Sequence, residues 1–476
     1  MAQKSYYTYR IRIANRSTVQ IEKSNPAGDS LGMPSGKFGY KGRLKKEIDT
    51  LLERVQTREI SGDEIKVLGE ALFRTLFDDG LRADFVSFYH EVIQHQRELL
   101  RLELDVDERE LADIAALPWE FMRLPADAGL GNVWLATAPN LVFSRRRSQW
   151  FASPPIQLGK DEPLRIALAV AAPEELAPVE YAKVWGALEK LAEQSARDIV
   201  LLPLVHPASP ENIDAVLQQK PHIFHFIGHG RFHNAEDQAV GQLALTDEWG
   251  EAIWVDADYF SELFNEHQPG VVVLQACETG ALSAAQAFVG VASRIVQQNI
   301  PVVVSMQYKV SNQTAVRFAR RFYEQLLAEH PVDRAAQNGR RAITLDPQQQ
   351  YNSRDFATPT LFMRVKNGHL FQYPIEDNRD EATTNRIAKP PPILVPLPEN
   401  PNPKHLRAKI SEYYSREEVI TIISDMGVDP EEIAGADALK STVIRAAINH
   451  FGRRGQLAAF WAAIQTERPD GDWSLE

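Results

Sequence analysis

The sequence predicts an α/β domain with a parallel or mixed sheet covered on both faces, followed by a small all-α bundle. Three observations carry that expectation. From residue 163 onward, short apolar runs of strand length alternate with stretches of helical periodicity, the pattern of strands joined by crossover helices. Between Pro390 and Pro403, seven of fourteen residues are proline, so neither a strand ladder nor a helix continues there. Beyond that stretch, apolar residues recur only at helical spacing.

The N-terminal elements come first. Tyr7, Tyr9, Ile11 and Ile13 alternate with polar residues, as in a half-buried strand. Residues 43–54 and 80–97 have helical spacing. Residues 99–106 form a strand that runs on toward Leu117-Pro118-Trp119-Glu120-Phe121, where Trp119 is expected in the core. The segment Gly32-Met33-Pro34-Ser35-Gly36-Lys37-Phe38 has some features of a phosphate loop. Its glycines are one residue too close and Phe38 stands where a hydroxyl is needed, so a flexible loop is expected. Arg145-Arg146-Arg147 reads as a solvated basic run. Pro154-Pro155 marks a boundary.

The second region holds strands at 164–170, 199–204, 223–227, 271–275, 301–306 and 360–365. Helices are expected at 180–196, 210–219, 256–266, 281–298, 312–329 and 332–344, with a hairpin around Asp247-Glu248-Trp249-Gly250. After the prolines, four apolar stripes mark helices: Leu406, Ile410 and Tyr414; Val419, Ile422, Ile423 and Met426; Val443, Ala447 and Phe451; and Leu457, Phe460, Trp461 and Ile464. Ser415 and Glu418 have the spacing of a capping box. Four segments result: 1–156, 163–373, a proline-rich linker at 374–403, and a helical domain at 404–470.

Bulk properties narrow the function classes. A chain of 476 residues suits about three domains at roughly 100–200 residues each. The formal charge of −12 weighs against a nucleic-acid partner. No apolar run approaches the ~18 residues of a membrane span, and Met1-Ala2-Gln3-Lys4-Ser5 opens no apolar leader, so a cytoplasmic protein is expected. A single cysteine excludes an intramolecular disulfide and a multi-thiolate zinc site. His222, His225, His229 and His233 cluster in sequence. On a strand, positions 222 and 225 face opposite sides, so no metal and no cofactor is expected there, and His225 reads as a core residue.

That single cysteine, Cys277, ends the apolar run Val271-Val272-Val273-Leu274-Gln275-Ala276 and opens Cys277-Glu278-Thr279-Gly280. The run Ile223-Phe224-His225-Phe226-Ile227 delivers His229 in the same way, inside Gly228-His229-Gly230. The separation is 277 − 229 = 48 residues. A lone cysteine with a histidine about 50 residues upstream is the arrangement of a thiol nucleophile and its base. In an open sheet, loops at the carboxyl ends of strands meet at one edge, and both residues are expected there. The imidazole raises the thiolate population and later protonates the leaving amine. The backbone N–H groups of Gly230 and Cys277 are the candidate oxyanion donors.

These residues resemble a known family. His225-Phe226-Ile227-Gly228-His229-Gly230 followed by Leu274-Gln275-Ala276-Cys277-Glu278-Thr279-Gly280 is similar to the CHAT-domain branch of caspase-like cysteine peptidases. Gly290 to Arg294, Pro301 to Met306, and the stretch from Leu104 to Phe121 also resemble that family, so the likeness covers roughly residues 100–370. It implies a caspase-like sandwich with a degenerate N-terminal half and an active C-terminal half, with His229 and Cys277 as the catalytic pair. The tail, on Leu406 to Tyr414, Glu418 to Gly427 and Leu457 to Pro469, resembles the death-like effector-associated domains of bacterial conflict systems. That likeness implies an adaptor or effector partner carrying a similar domain.

The expected function is a cysteine endopeptidase of a bacterial defence or regulated-death pathway, acting on a protein substrate and recruited through its tail. The alternatives are a catalytically silent scaffold of the same fold, and a thiol hydrolase or transferase that is not a peptidase. In related peptidases a charged pocket residue selects the substrate side chain. Asp247, Asp256, Asp258 and Glu278 are candidates here, and nothing in the sequence ranks them.

Overall fold

The structure, a computed structural model, describes residues 5–107, 110–146, 153–159, 162–195, 199–235, 238–276, 282–298, 300–347, 350–365, 367–372, 397–398, 401–426, 428–435, 438–467 and 473. The chain divides into two units, 1–376 and 377–476. Most of the expected linker lies outside the described residues.

The first unit begins with β1 (Tyr6–Asn15), β2 (Thr18–Ser24), β3 (Ser30–Gly32) and β4 (Ser35–Lys37), then α1 (Gly42–Thr57), α2 (Gly62–Leu76) and α3 (Asp79–Tyr89). β5 (Leu99–Val106), the short α4 (Ala112–Ala115) and β6 (Leu141–Arg146) follow. β7 (Ile156–Gln157) stands apart. Then come β8 (Leu164–Val170), α5 (Ala182–Gln194), β9 (Ile199–Leu201), α6 (Pro210–Leu217) and β10 (Ile223–Gly228). A three-stranded antiparallel sheet, β11 (Gly230–Ala235), β12 (Gln238–Thr246) and β13 (Ala252–Asp256), interrupts the alternation before α7 (Ala257–Glu262). β14 (Val271–Ala276), α8 (Leu282–Gln297), β15 (Val302–Met306), α9 (Asn312–Leu327), α10 (Val332–Thr344), β16 (Pro359–Met363) and β17 (Phe371–Gln372) complete the unit; β17 pairs with β7.

Twelve strands make one sheet, in the order β3-β2-β1-β5-β6-β16-β15-β14-β10-β8-β9, with β4 also on β2. Within it, β1, β5, β6 and β16 run parallel to one another, as do β15, β14, β10, β8 and β9, while β2 lies antiparallel to β1 and to the short β3 and β4. The two parallel sets meet antiparallel at β15 and β16. The sheet is therefore mixed, and strands from 1–156 and from 163–373 share it.

Alternation along the central strands explains the two layers. Ile166, Leu168, Ile223, Ile227, Val271, Val273, Val302 and Val304 belong to one apolar cluster, with Val184 and Leu188 of α5 and Phe318 and Phe322 of α9. Their neighbours Ala167, Ala169, Phe224, Phe226, Val272, Leu274 and Val303 belong to another, with Ile213 of α6, Phe260 of α7 and Ile295 of α8. Both faces are thus buried, which is why these strands read as continuous apolar runs. The helices are locally encoded: Ser209, Asp256 and Ser311 cap α6, α7 and α9 through their side chains.

Three N-terminal readings change. Residues 35–37 form a strand paired with β2, through Thr18↔Lys37 and Val19↔Gly36, because that pairing satisfies backbone groups at the sheet edge. Arg145 and Arg146 are not a solvated run. Arg145 is 5% exposed and forks onto Glu120 at 2.5 Å, while Arg146 meets buried Glu103 at 2.7 Å. They sit at the end of an internal strand, where a charge persists only when paired. α2 was not anticipated at all. Trp119 is buried, its Nε1–H donating to the Ile114 carbonyl at 3.0 Å.

The second unit is helical: α11 (Pro403–Tyr413), α12 (Arg416–Asp425), α13 (Pro430–Ala434), α14 (Lys440–Arg453) and α15 (Leu457–Glu467). The predicted stripes form one core, including Leu406, Ile410, Val419, Ile423, Val443, Ala447, Phe451, Phe460, Trp461 and Ile464. The capping box is formed: Ser415 Oγ accepts from Glu418 N, and Glu418 Oε2 accepts from Ser415 N at 2.7 Å. Among the described residues, no helix is long and apolar enough to cross a membrane.

Candidate active site

β10 and β14 are parallel neighbours at the centre of their half of the sheet. Their register runs from Ile223↔Val271 to Gly228↔Ala276. Adjacent strands lie ~4.8 Å apart, so the chain leaves the sheet at Gly228 and at Ala276 side by side, at the carboxyl edge. In the sequence His229 directly follows Gly228, and Cys277 directly follows Ala276. Cys277, Glu278, Thr279 and Gly280 lie outside the described residues.

Gly228 is a packing requirement. A Cβ there would stand 2.9 Å from the Phe226 ring and 3.2 Å from the Ala171 Cβ. Gly230 opens β11 opposite Leu243, and the carbonyl of His229 accepts from Ala244 N at 3.0 Å. The histidine backbone is therefore anchored on both sides, by β10 before it and by the small sheet after it.

The His229 ring is buried at 5% exposure, with Nε2 2.8 Å from the Ala177 carbonyl oxygen. A carbonyl only accepts, so Nε2 carries the hydrogen and Nδ1 is left with its lone pair. That tautomer is a base at Nδ1. Burial holds the imidazole below its ordinary value, opposed by the Ala177 contact. The ring is thus neutral at pH 7, as proton acceptance from a thiol requires.

Sequence reasoning missed Ala177, since a backbone acceptor has no side-chain signature. The loop that supplies it follows β8 and is tied to the β12–β13 turn. Glu174 N donates to the Gly250 carbonyl at 2.9 Å, and Ala252 N donates to Glu175 Oε1 at 2.6 Å. The turn is thereby linked to the orientation of His229.

The neighbouring histidines have other roles. His225 is 1% exposed, its Nδ1 3.1 Å from the Tyr323 hydroxyl and its Nε2 3.3 Å from Gln275 Oε1. Burial pushes its pKa down to about 4. His222 accepts from Arg165 N through Nδ1 at 3.0 Å, and burial, with Arg165 nearby, pushes it down to about 4. Among the described residues, no group of three His, Cys, Asp or Glu side chains could hold a metal.

Comparison with known proteins gives two family matches: a CHAT domain over residues 66–404 and an effector-associated domain 7 over residues 406–469. Among curated proteins, none matches the chain. Among solved structures, similar chains include the complex of Porphyromonas gingivalis RgpB pro- and mature domains. It is 13% identical, with a TM-score of 0.36 over 69% of this chain and 77% of that one. The Arg-specific cysteine proteinase gingipain R (RgpB) is 14% identical, with a TM-score of 0.36 over 70% and 76%.

Proposed function

The chain belongs to the CHAT domain family, and from that premise we propose that it is a cysteine endopeptidase with a His229–Cys277 dyad. The observation that carries the proposal is the β10–β14 pairing, whose register ends with Gly228 opposite Ala276. His229 Nδ1 accepts the thiol proton, and Cys277 Sγ attacks the scissile carbonyl carbon. The oxyanion is met by the backbone N–H groups of Gly230 and Cys277. Collapse breaks the C–N bond as His229 returns the proton to the leaving amine. Water, deprotonated by His229, then hydrolyses the thioester and releases the thiol.

The substrate in this reading is a partner protein, in a bacterial defence or regulated-death pathway. The effector-associated domain at residues 406–469 supports recruitment or activation by an adaptor with a similar domain. A peptide-library cleavage profile of the full chain, with Cys277→Ala as control, tests the enzyme. Cleavage lost in the variant is expected. Cleavage unchanged by Cys277→Ala refutes the dyad, and a chain that signals without cutting anything is the silent scaffold instead.

A further inference from the structure

Arg231 stands two residues beyond His229 on β11, opposite Gln242. Its Nε donates to Gln242 Oε1 at 2.9 Å, and its guanidinium carbon lies 4.1 Å from the centre of a Trp254 ring. Gln242 pairs with Asp256 and Ala244 with Trp254. These positions alternate with Leu243, Leu245 and Val255, which sit in the apolar cluster. Arg231 therefore belongs to the other face of the small sheet, and it is half-buried there.

Many other arginines of this unit are committed to acids. Arg10, Arg101, Arg123, Arg145, Arg146, Arg165 and Arg317 each hold a carboxylate. Arg231 pairs with no carboxylate among the described residues, and its Nη1 and Nη2 make no hydrogen bond there. A guanidinium held over an indole and oriented through Nε leaves its outer edge as a ready fork for a carboxylate. Two residues of strand separate it from His229, about 7 Å, within reach of side chains on a peptide bound at the histidine.

Three of the four acids that the sequence offers as selectors already serve other contacts. Asp247 Oδ1 accepts from Trp249 N and Glu251 N, closing the β12–β13 turn. Asp256 Oδ1 caps α7 by accepting from Tyr259 N at 2.9 Å. Asp258 accepts from Gln298 Nε2 and pairs with Arg294. The fourth acid, Glu278, lies outside the described residues. Among the described residues, Arg231 is thus a cation two positions from His229 with its outer guanidinium nitrogens unengaged.

We propose that Arg231 selects an acidic side chain in the substrate, within two residues of the scissile bond. This rests on the peptidase reading above. The test uses the full chain with paired peptides that differ only by Asp or Glu against Asn or Gln near the cleavage site. Two readouts are followed: cleavage, and labelling of Cys277 by the matching peptide ketones. Acidic peptides are expected to be favoured by about tenfold to a hundredfold, the range of a charge-assisted contact, mainly through KM. Arg231→Gln collapses that ratio toward one, Arg231→Lys keeps part of it, and Arg231→Glu turns the preference toward Lys and Arg. A wild-type preference for neutral or basic residues, or a ratio that survives Arg231→Gln, overturns the inference and leaves the peptidase standing. No cleavage and no labelling with any peptide overturns both.

Discussion

Replacing His225 with Gln should flatten the acid side of the stability profile. The neutral imidazole fits its surroundings: Gln275 Oε1 accepts from Nε2–H, and Nδ1 accepts from the Tyr323 hydroxyl. Burial pushes that phenol's pKa up, so it stays a donor. A proton on Nδ1 has no solvent to receive it, and burial pushes the imidazole from 6.5 down to about 4. The unfolded chain takes up this proton below pH 6.5, whereas the folded chain does so only near pH 4. The stability contributed by neutral burial is therefore complete above pH 6.5 and lost as the pH falls toward 4. At about 1.4 kcal/mol per pH unit inside that window, His225 accounts for about 2 kcal/mol between pH 7 and pH 5. Urea unfolding of the wild type and His225→Gln at both pH values measures it. His222 is present in both proteins, so its contribution cancels. The wild type should lose about 2 kcal/mol more than the variant, and equal losses would refute the reasoning.

Burial also depresses His229, so the acidic limb of kcat/KM should lie below the ordinary imidazole value of 6.5; a limb above pH 6.5 contradicts the proposed base. Asp333→Asn leaves Arg101 buried without its partner, now 2.5 Å away, and should cost about 3–5 kcal/mol in chemical denaturation. A loss under about 1 kcal/mol would show that the pair is solvated. Ser415→Ala removes the acceptor in the α12 capping box and should destabilise the second unit by about 1 kcal/mol. Hydrogen exchange of the α12 amides reads this out, and unchanged protection would remove the cap from the account.

Much of the second region was legible because both its signals are local. Strands buried on both faces appear as apolar runs, and the helices between them carry their own caps. The same clarity made His229 and Cys277 visible, each at the end of such a run. The N-terminal region was harder. β3 and β4 have three residues each and little apolar content. α2 carried a readable signal in Ser61 and Glu64, whose capping box is formed, yet its apolar stripe passed unnoticed among charged residues. Arg145 was misread because its partner, Glu120, is 25 residues away in sequence.

By itself the sequence determined the alternation, the helix starts, the apolar stripes of the tail and the identity of the nucleophile and base candidates. These depend on residues within a few positions of one another. Only the tertiary structure decided that β10 and β14 pair in a register ending at Gly228 and Ala276. It also decided that the chain's two parallel strand sets meet antiparallel, that Ala177 offers its carbonyl to His229, and that Arg231 lies on Trp254. Each of these joins segments separated by long stretches of chain, or uses a backbone atom every residue possesses, and pairing of that kind is settled by packing the whole sheet.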